Sequence, residues 1–332
     1  MPSADTSRNP LTVEVTRGPA VESRHAVHAA VVEADGGIVA RYGEVERPVF
    51  PRSAIKAIQA LPLAESGAEI RLQELAIACA SHGGEPRHVA TVTTWLDRLG
   101  LDDGCLECGV HLPLHEASAH ALVRAGEAPR AYHHNCSGKH AGMVCTAVQA
   151  GEKAAGYVAP EHPVQRRVSA AIADMTGADL SRAPLGSDGC SIPTYAIPLT
   201  ALALGIARVA APAGLAPTRA AACRRIVQAV TTDPFLVAGT GRLCTLLMER
   251  AGGTLIAKTG AEGVFVAASV RTGRAVALKA EDGAKRAAEA AILELCRRHD
   301  LIDQATHAAL VGNALPEIRS VRGRAVGRTR VS

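Results

Sequence analysis

Apolar and polar positions change their rhythm twice along this chain. It opens in β-rich runs, turns helical through its middle, and returns to β-rich runs before a last long helix. Residues 11–16 read as a strand. Residues 25–33 and 38–42 are two more, flanking the hairpin turn Ala34-Asp35-Gly36-Gly37. Pro48 and Pro51 close this region, and a helix is expected to start near Arg52. In residues 71–80, Leu72, Leu75, Ala76 and Cys79 recur at helical spacing and end at Ser81-His82-Gly83-Gly84, a glycine stop. Glu85-Pro86-Arg87 starts another helix reaching about residue 99. Further helices are expected at 116–125, 140–150, 163–175, 197–208, 218–231 and 241–251. Strands are expected at 254–258, 263–270 and 275–279, then an amphipathic helix over 281–299. Strands at both ends and helices between them predict an α+β fold, with one antiparallel sheet built from the two ends. The chain reads as a single catalytic domain over 1–332, with a sheet region at about 11–50 and 252–300 and a helical region at about 51–251. The seam between the two regions is the expected place for a cleft.

Composition narrows the classes. Nearly half of the 332 residues are apolar and only 2% are aromatic, so alanine, valine and leucine must fill the core. The net charge of +4 is small, and no basic run is interleaved with aromatics, which argues against nucleic-acid binding. The arginines of residues 319–330 read as a frayed or surface-paired tail. No run of about 18 apolar residues exists, so no membrane helix is expected. The polar start MPSADTSRNP does not read as a secretory signal. Nine cysteines without a disulfide-scaffold spacing read as reduced thiols in a cytoplasmic protein, most of them small buried residues. Cys105-x-x-Cys108 has the form of half a zinc ribbon, but no second such pair occurs.

Three stretches carry candidate chemistry. In Phe50-Pro51-Arg52-Ser53-Ala54-Ile55-Lys56, Ser53 and Lys56 are one helical turn apart, the Ser-x-x-Lys spacing of acyl-transfer enzymes. A lysine stripped of water, or set beside a second cation, can lose its proton and serve as base. Lys258-Thr259-Gly260 closes a later strand and completes two of the three elements of serine β-lactamases and penicillin-binding proteins. The third, Ser-Asp-Asn, is missing; Ser81-His82-Gly83 or Ser187-Asp188-Gly189 would have to stand in. The densest polar stretch is Asn135-Cys136-Ser137-Gly138-Lys139-His140, where Cys136, Lys139 and His140 can share a helix face. Asp188-Gly189-Cys190 adds a second thiol-bearing loop. Two thiolates and a nitrogen ligand suit zinc, and on spacing alone that nitrogen is His140's. A thiol activated at a helix N-terminus is the other reading.

Together these phrases resemble the Rhizobium-type L-asparaginases, the third structural class of asparaginase, related in fold to serine β-lactamases and glutaminases. The resemblance rests on Pro51 to Lys56, Ala80-Ser81-His82-Gly83-Gly84-Glu85, Asn135-Cys136-Ser137-Gly138-Lys139-His140-Ala141, Ser187-Asp188-Gly189-Cys190, and Lys258-Thr259-Gly260-Ala261-Glu262-Gly263. It implies a serine β-lactamase-like fold and two serine–lysine pairs, Ser53 with Lys56 and Ser81 with Lys258. It implies zinc held by Cys136, Lys139 and Cys190, with Arg52, His140 and Asp188 as polar neighbours or substrate contacts. It also implies a homodimer.

The expected reaction is hydrolysis of the L-asparagine side-chain amide to aspartate and ammonia. Ser53 would attack, Lys56 or Lys258 would act as base, and Ser81 would relay the proton. A helix N-terminus at Ser53 would offer its N–H groups to the oxyanion. The rival readings are a cytoplasmic serine amidohydrolase of the β-lactamase or penicillin-binding type acting on another amide, and a non-catalytic zinc protein.

Overall fold

A computed structural model describes residues 9–332 in full and residues 5–7 as backbone. The described strands are Asp5–Ser7 (β1), Leu11–Arg17 (β2), Ala20–Val32 (β3), Ile38–Tyr42 (β4), Leu185–Ser187 (β5), Pro193–Tyr195 (β6), Leu255–Thr259 (β7), Val264–Ser269 (β8), Ala275–Ala280 (β9), Glu317–Arg319 (β10) and Ala325–Val331 (β11). The helices begin with Lys56–Gln59 (α1), Leu61–Glu65 (α2), Leu72–Ala78 (α3), Pro86–Arg98 (α4), Glu116–Arg124 (α5), Ser137–Gln149 (α6) and Pro163–Thr176 (α7). They continue with Leu199–Ala210 (α8), Pro217–Thr232 (α9), Pro234–Ala238 (α10), Leu243–Arg250 (α11), Lys285–Arg298 (α12) and Gln304–Ala314 (α13).

The fold is α+β, as the strand and helix order predicts. One sheet runs in the order β10-β11-β2-β3-β9-β8-β7, with β4 also on β3 and β1 on β4. Its pairings are antiparallel except β1 with β4. The two ends of the chain meet at β3, whose residues 27–32 pair with β9. All six residues of β8 are buried, so both faces of the sheet are covered there. Both α8 and α12 pack on β8 and β9 and supply that cover. The core is the expected mixture of alanine, valine and leucine, with Trp95 and Phe265 among its few aromatics.

Two sequence expectations needed correction. Of the two readings of residues 319–330, frayed or surface-paired, the frayed one is corrected: most of them form β11 and its turn, β11 extends the sheet beyond β2, and Arg319 and Arg330 pair at the surface. The arginine count hid an alternation in which Thr329 faces in while Arg328 and Arg330 face out, and Arg330 pairs with Glu14. The thiol-bearing loop Asp188-Gly189-Cys190 lies, as expected, outside the strands, in the turn of the β5–β6 hairpin. The helix expected from residue 140 starts at Ser137, one turn earlier, so Cys136 is its N-cap residue. Gly138 permits this start. A Cβ there would lie 2.4 Å from Ile77 O, so only a bare backbone lets α6 approach the end of α3.

Gly327 makes a similar approach on β11, where a Cβ would sit 1.9 Å from Thr16 O. Gly327→Ala must push β11 off β2. We expect a loss of about 1–3 kcal/mol in unfolding free energy, read by urea titration; an unchanged midpoint would show that β11 adds nothing to the sheet.

Candidate active site

The site assembles where four segments meet: residues 51–56, the turn after α3, the start of α6, and the end of β7. Ser53 lies in a four-residue 3-10 turn, Arg52–Ile55, that runs into the four-residue α1. Arg52 opens this turn with φ of 51°, a left-handed backbone that a side chain adopts only when its surroundings hold it there. Its holder is Asp188: Arg52 Nε donates to Asp188 Oδ1 at 2.7 Å. Asp188 sits in the tight turn of the β5–β6 hairpin, and Val49 and Ile197 exchange backbone hydrogen bonds that bring the hairpin against residues 48–51. The helix expected to start near Arg52 begins there as this 3-10 turn, and the Ala54 N–H is already taken by Pro51 O.

Lys56 starts α1 and turns inward, fully buried. Its Nζ donates to Ala80 O, to Ser81 Oγ at 2.9 Å and to Cys136 Sγ at 3.1 Å. Hydrogen bonding therefore pairs Lys56 with Ser81, whereas the resemblance pairs it with Ser53. Ser53 stays half-buried in the preceding turn. The reason is direction: a helical side chain one turn on from a half-exposed residue can point into the core when its first turn packs there.

Lys258 Nζ donates to Thr259 O at 2.9 Å. Its stem borders an apolar hollow lined by Ala54, Cys79, Val237, Met248 and Ile256. Burial, then the charge of Lys56, push the Lys258 ammonium down to about 7. Gly260 lets this strand end touch the Ser53 turn, because a Cβ would lie 2.7 Å from Pro51 O and 3.3 Å from Ala54 N.

Cys136, Lys139 and Cys190 converge. Lys139 Nζ donates to Cys190 Sγ at 2.9 Å, and the two thiols share a hydrogen bond. That bond holds the Cys136 thiol well below the ordinary range, aided by the charges of Lys56 and Lys139, and pushes Cys190 up. Burial opposes the Lys139 ammonium, but Cys136 and Cys190 outweigh it and raise its pKa. Desolvation works against the Asp188 carboxylate too, yet Lys139 and Arg52 hold it low. Among the described residues no cluster of three or more His, Cys, Asp or Glu side chains is arranged for a metal; beside Cys190 lie the Lys139 amine and, at 3.9 Å, the Asp188 carboxylate. His140, the nitrogen favoured by spacing, uses one ring nitrogen on Tyr157, while its buried Nε2 has no hydrogen-bond partner among the described residues. Its Nδ1 lies 2.6 Å from the Tyr157 hydroxyl, which accepts the Glu107 N–H. Cys105 and Cys108 belong to a separate loop, where Cys108 contacts Ala131 O.

Other residues of the sequence phrases prove to be structural ties that sequence reading left without a role. His82 bonds Ser137, and the buried Glu85 carboxylate takes both the N–H of Thr240 at 2.8 Å and its hydroxyl at 2.6 Å. Their position beside Ser81 and Cys136 in the chain was the only available signal.

The family model described as L-asparaginase II matches residues 13–331. The chain belongs to the L-asparaginase II family. The enzyme class expected from the sequence phrases, an amidohydrolase with L-asparaginase activity, is thereby met. A search of curated protein sequences found no match. Among solved structures, the chain is similar to a beta-lactamase from Mycobacterium bovis, at 13% identity over 87% of this chain and 94% of that one, with a TM-score of 0.38. Among the described residues no helix is long and apolar enough to cross a membrane.

Two predictions follow from this geometry. Gly260→Ala forces the β7 end away from Ser53, so kcat should fall by about tenfold or more with modest loss of stability; a wild-type rate would mean the contact is unimportant. His82 and His88 are both buried, and burial lowers their pKa below the 6.5 of free imidazole. Below about pH 6.5 the unfolded chain then binds more protons than the native one, so stability is lost as pH falls. The melting temperature should drop steadily from about pH 6.5 to 5; a flat profile would contradict it.

Proposed function

We propose that this L-asparaginase works through a serine–lysine acyl-enzyme at Ser53, with Lys258 as base and the Lys56–Ser81 pair as proton relay. The observation that carries the reading is the contrast between the two lysines. Lys56 spends its three N–H donors on Ala80, Ser81 and Cys136, the pattern of an ammonium held as a donor. Lys258 has one carbonyl acceptor and a pKa of about 7, which leaves a free amine within reach of working pH.

Ser53 Oγ attacks the side-chain amide carbon and passes its proton to Lys258 Nζ. The C–N bond breaks as Lys258 returns that proton, through Ser81, to the nitrogen, and ammonia leaves with Lys258 neutral again. Water then attacks the aspartyl ester, losing a proton to Lys258, which passes it to Ser53 Oγ as the ester bond breaks and aspartate departs. Lys56 keeps the Ser81 hydroxyl oriented throughout. Arg52 and Asp188, at the rim of Ser53, present opposite charges to the ends of a free amino acid.

We further propose zinc on Cys136, Lys139 and Cys190, whose two thiols and one amine fit a soft, tetrahedral ion once Lys139 gives up its proton. Bound there, zinc supplies a fixed positive charge and ties the two thiol-bearing turns together. The donors' own part is to hold those turns beside Ser81. Reduced thiols suit a cytoplasmic setting, and a homodimer completes the reading.

Ammonia release from L-asparagine tests the mechanism. Ser53→Ala should lower kcat by about a thousandfold or more while folding is kept. The rate should climb with pH through about 7, because only the neutral Lys258 accepts a proton, and Lys258→Met should abolish that limb. Full activity in Ser53→Ala, or a flat profile from about pH 5.5 to 8, overturns the assignment. Metal analysis of the purified protein, with Cys190→Ala alongside, tests zinc directly: about one zinc per chain in wild type and little in the variant is expected.

A further inference from the structure

The turn that carries Ser81 and the turn that carries Cys136 are far apart in sequence, and His82 joins them. Its backbone N–H donates to Asn135 O at 3.1 Å. Its Nδ1 accepts the N–H of Gly84 at 3.1 Å. That bond fixes the tautomer, so the ring hydrogen sits on Nε2 and is donated to Ser137 Oγ at 2.9 Å. Ser137 in turn donates to Tyr132 O at 3.0 Å. The ring is fully buried and stacks on His88 at 4.9 Å, and His88 stacks on Phe235. Burial keeps His82 neutral, as the tautomer requires. Both ring nitrogens are thus spent on the turns that flank the site.

Ser81 itself has few restraints. Its N–H is tied to Val237 O and its hydroxyl accepts from Lys56. The residues that follow, Gly83 and Gly84, have no side chains to hold the turn. His82 is the first residue after Ser81 whose side chain is locked, and its lock is Ser137, the residue after Cys136.

We infer that His82 is a positioning residue for catalysis: through Ser137 it holds the Ser81 hydroxyl in register with Lys56, and so governs turnover and not asparagine affinity. The inference rests on the reading of Ser81 as the proton relay. It predicts that the Nε2–Ser137 bond matters for rate and that the Nδ1–Gly84 bond does not matter nearly as much.

Two substitutions separate the nitrogens. His82→Asn places an oxygen where Nδ1 was and keeps the turn to Gly84, but cannot reach Ser137. His82→Gln carries an amide N–H to the position of Nε2 and keeps Ser137. Steady-state ammonia release should show His82→Gln within about threefold of wild-type kcat. His82→Asn and Ser137→Ala should each lose about tenfold in kcat with KM changed less than about twofold. The His82→Asn/Ser137→Ala double variant should be no slower than His82→Asn alone, since both remove one bond.

Equal losses in His82→Asn and His82→Gln, a change confined to KM, or multiplying losses in the double variant would each overturn the inference. Ser137→Ala removes a single oxygen and reports even if a His82 variant fails to fold. Ser81→Ala, run alongside, separates the two levels. If it turns over at the wild-type rate, the relay reading fails. If it is inactive while His82→Asn is unimpaired, only the positioning inference fails.

Discussion

A lysine amine sealed from water must find its acceptors inside the protein, and Lys56 is sealed completely. Its three partners come from two separate places in the chain: Ala80 and Ser81 after α3, and Cys136 before α6. Satisfying one buried amine therefore fixes the distance between the serine turn and the thiol turn. The other ties of the site repeat that connection. His82 bonds both Asn135 and Ser137, and α6 lies against the end of α3 because Gly138 has no side chain. Loss of the Lys56 contacts would leave buried acceptors unmatched in both turns at once.

The same low-polarity surroundings act oppositely on the second lysine. Lys258 has one carbonyl partner, an apolar hollow along its stem and the charge of Lys56 nearby. Together these favour its neutral form. One lysine is thus held as a donor to three acceptors, and its charge helps to keep the second neutral near pH 7. Close backbone approach makes this possible: Gly260 lets the end of β7 lie on the Ser53 turn without an intervening Cβ.

On the rim, Arg52 and Asp188 couple the Ser53 turn to the β5–β6 hairpin that carries Cys190. The left-handed backbone at Arg52 is held by that ion pair and by the hairpin's bridge between Val49 and Ile197. The thiol hairpin and the serine turn are therefore not independent, and a change in one is transmitted to the other through a half-buried Arg52–Asp188 bond.

Much of this was legible in the sequence. Strand alternation at both ends and helical spacing between them determined the α+β order, and the scarcity of aromatics determined an aliphatic core. Five short phrases in a fixed order pointed to the amidohydrolase class and named most of the side chains that converge. Partnership was decided only by the tertiary structure. Spacing placed Lys56 beside Ser53, yet Lys56 bonds Ser81, because a helical residue's direction depends on what its first turn packs against. Spacing named His140 as the nitrogen beside the thiols; the structure sets the Lys139 amine against Cys190 and ties His140 Nδ1 to Tyr157, leaving its Nε2 without a partner among the described residues. The arginine-rich tail joined the sheet because strand pairing depends on an open edge at β2, which no local pattern reveals. Local propensity is written residue by residue. Which buried donor meets which acceptor is a property of segments brought together across the whole chain.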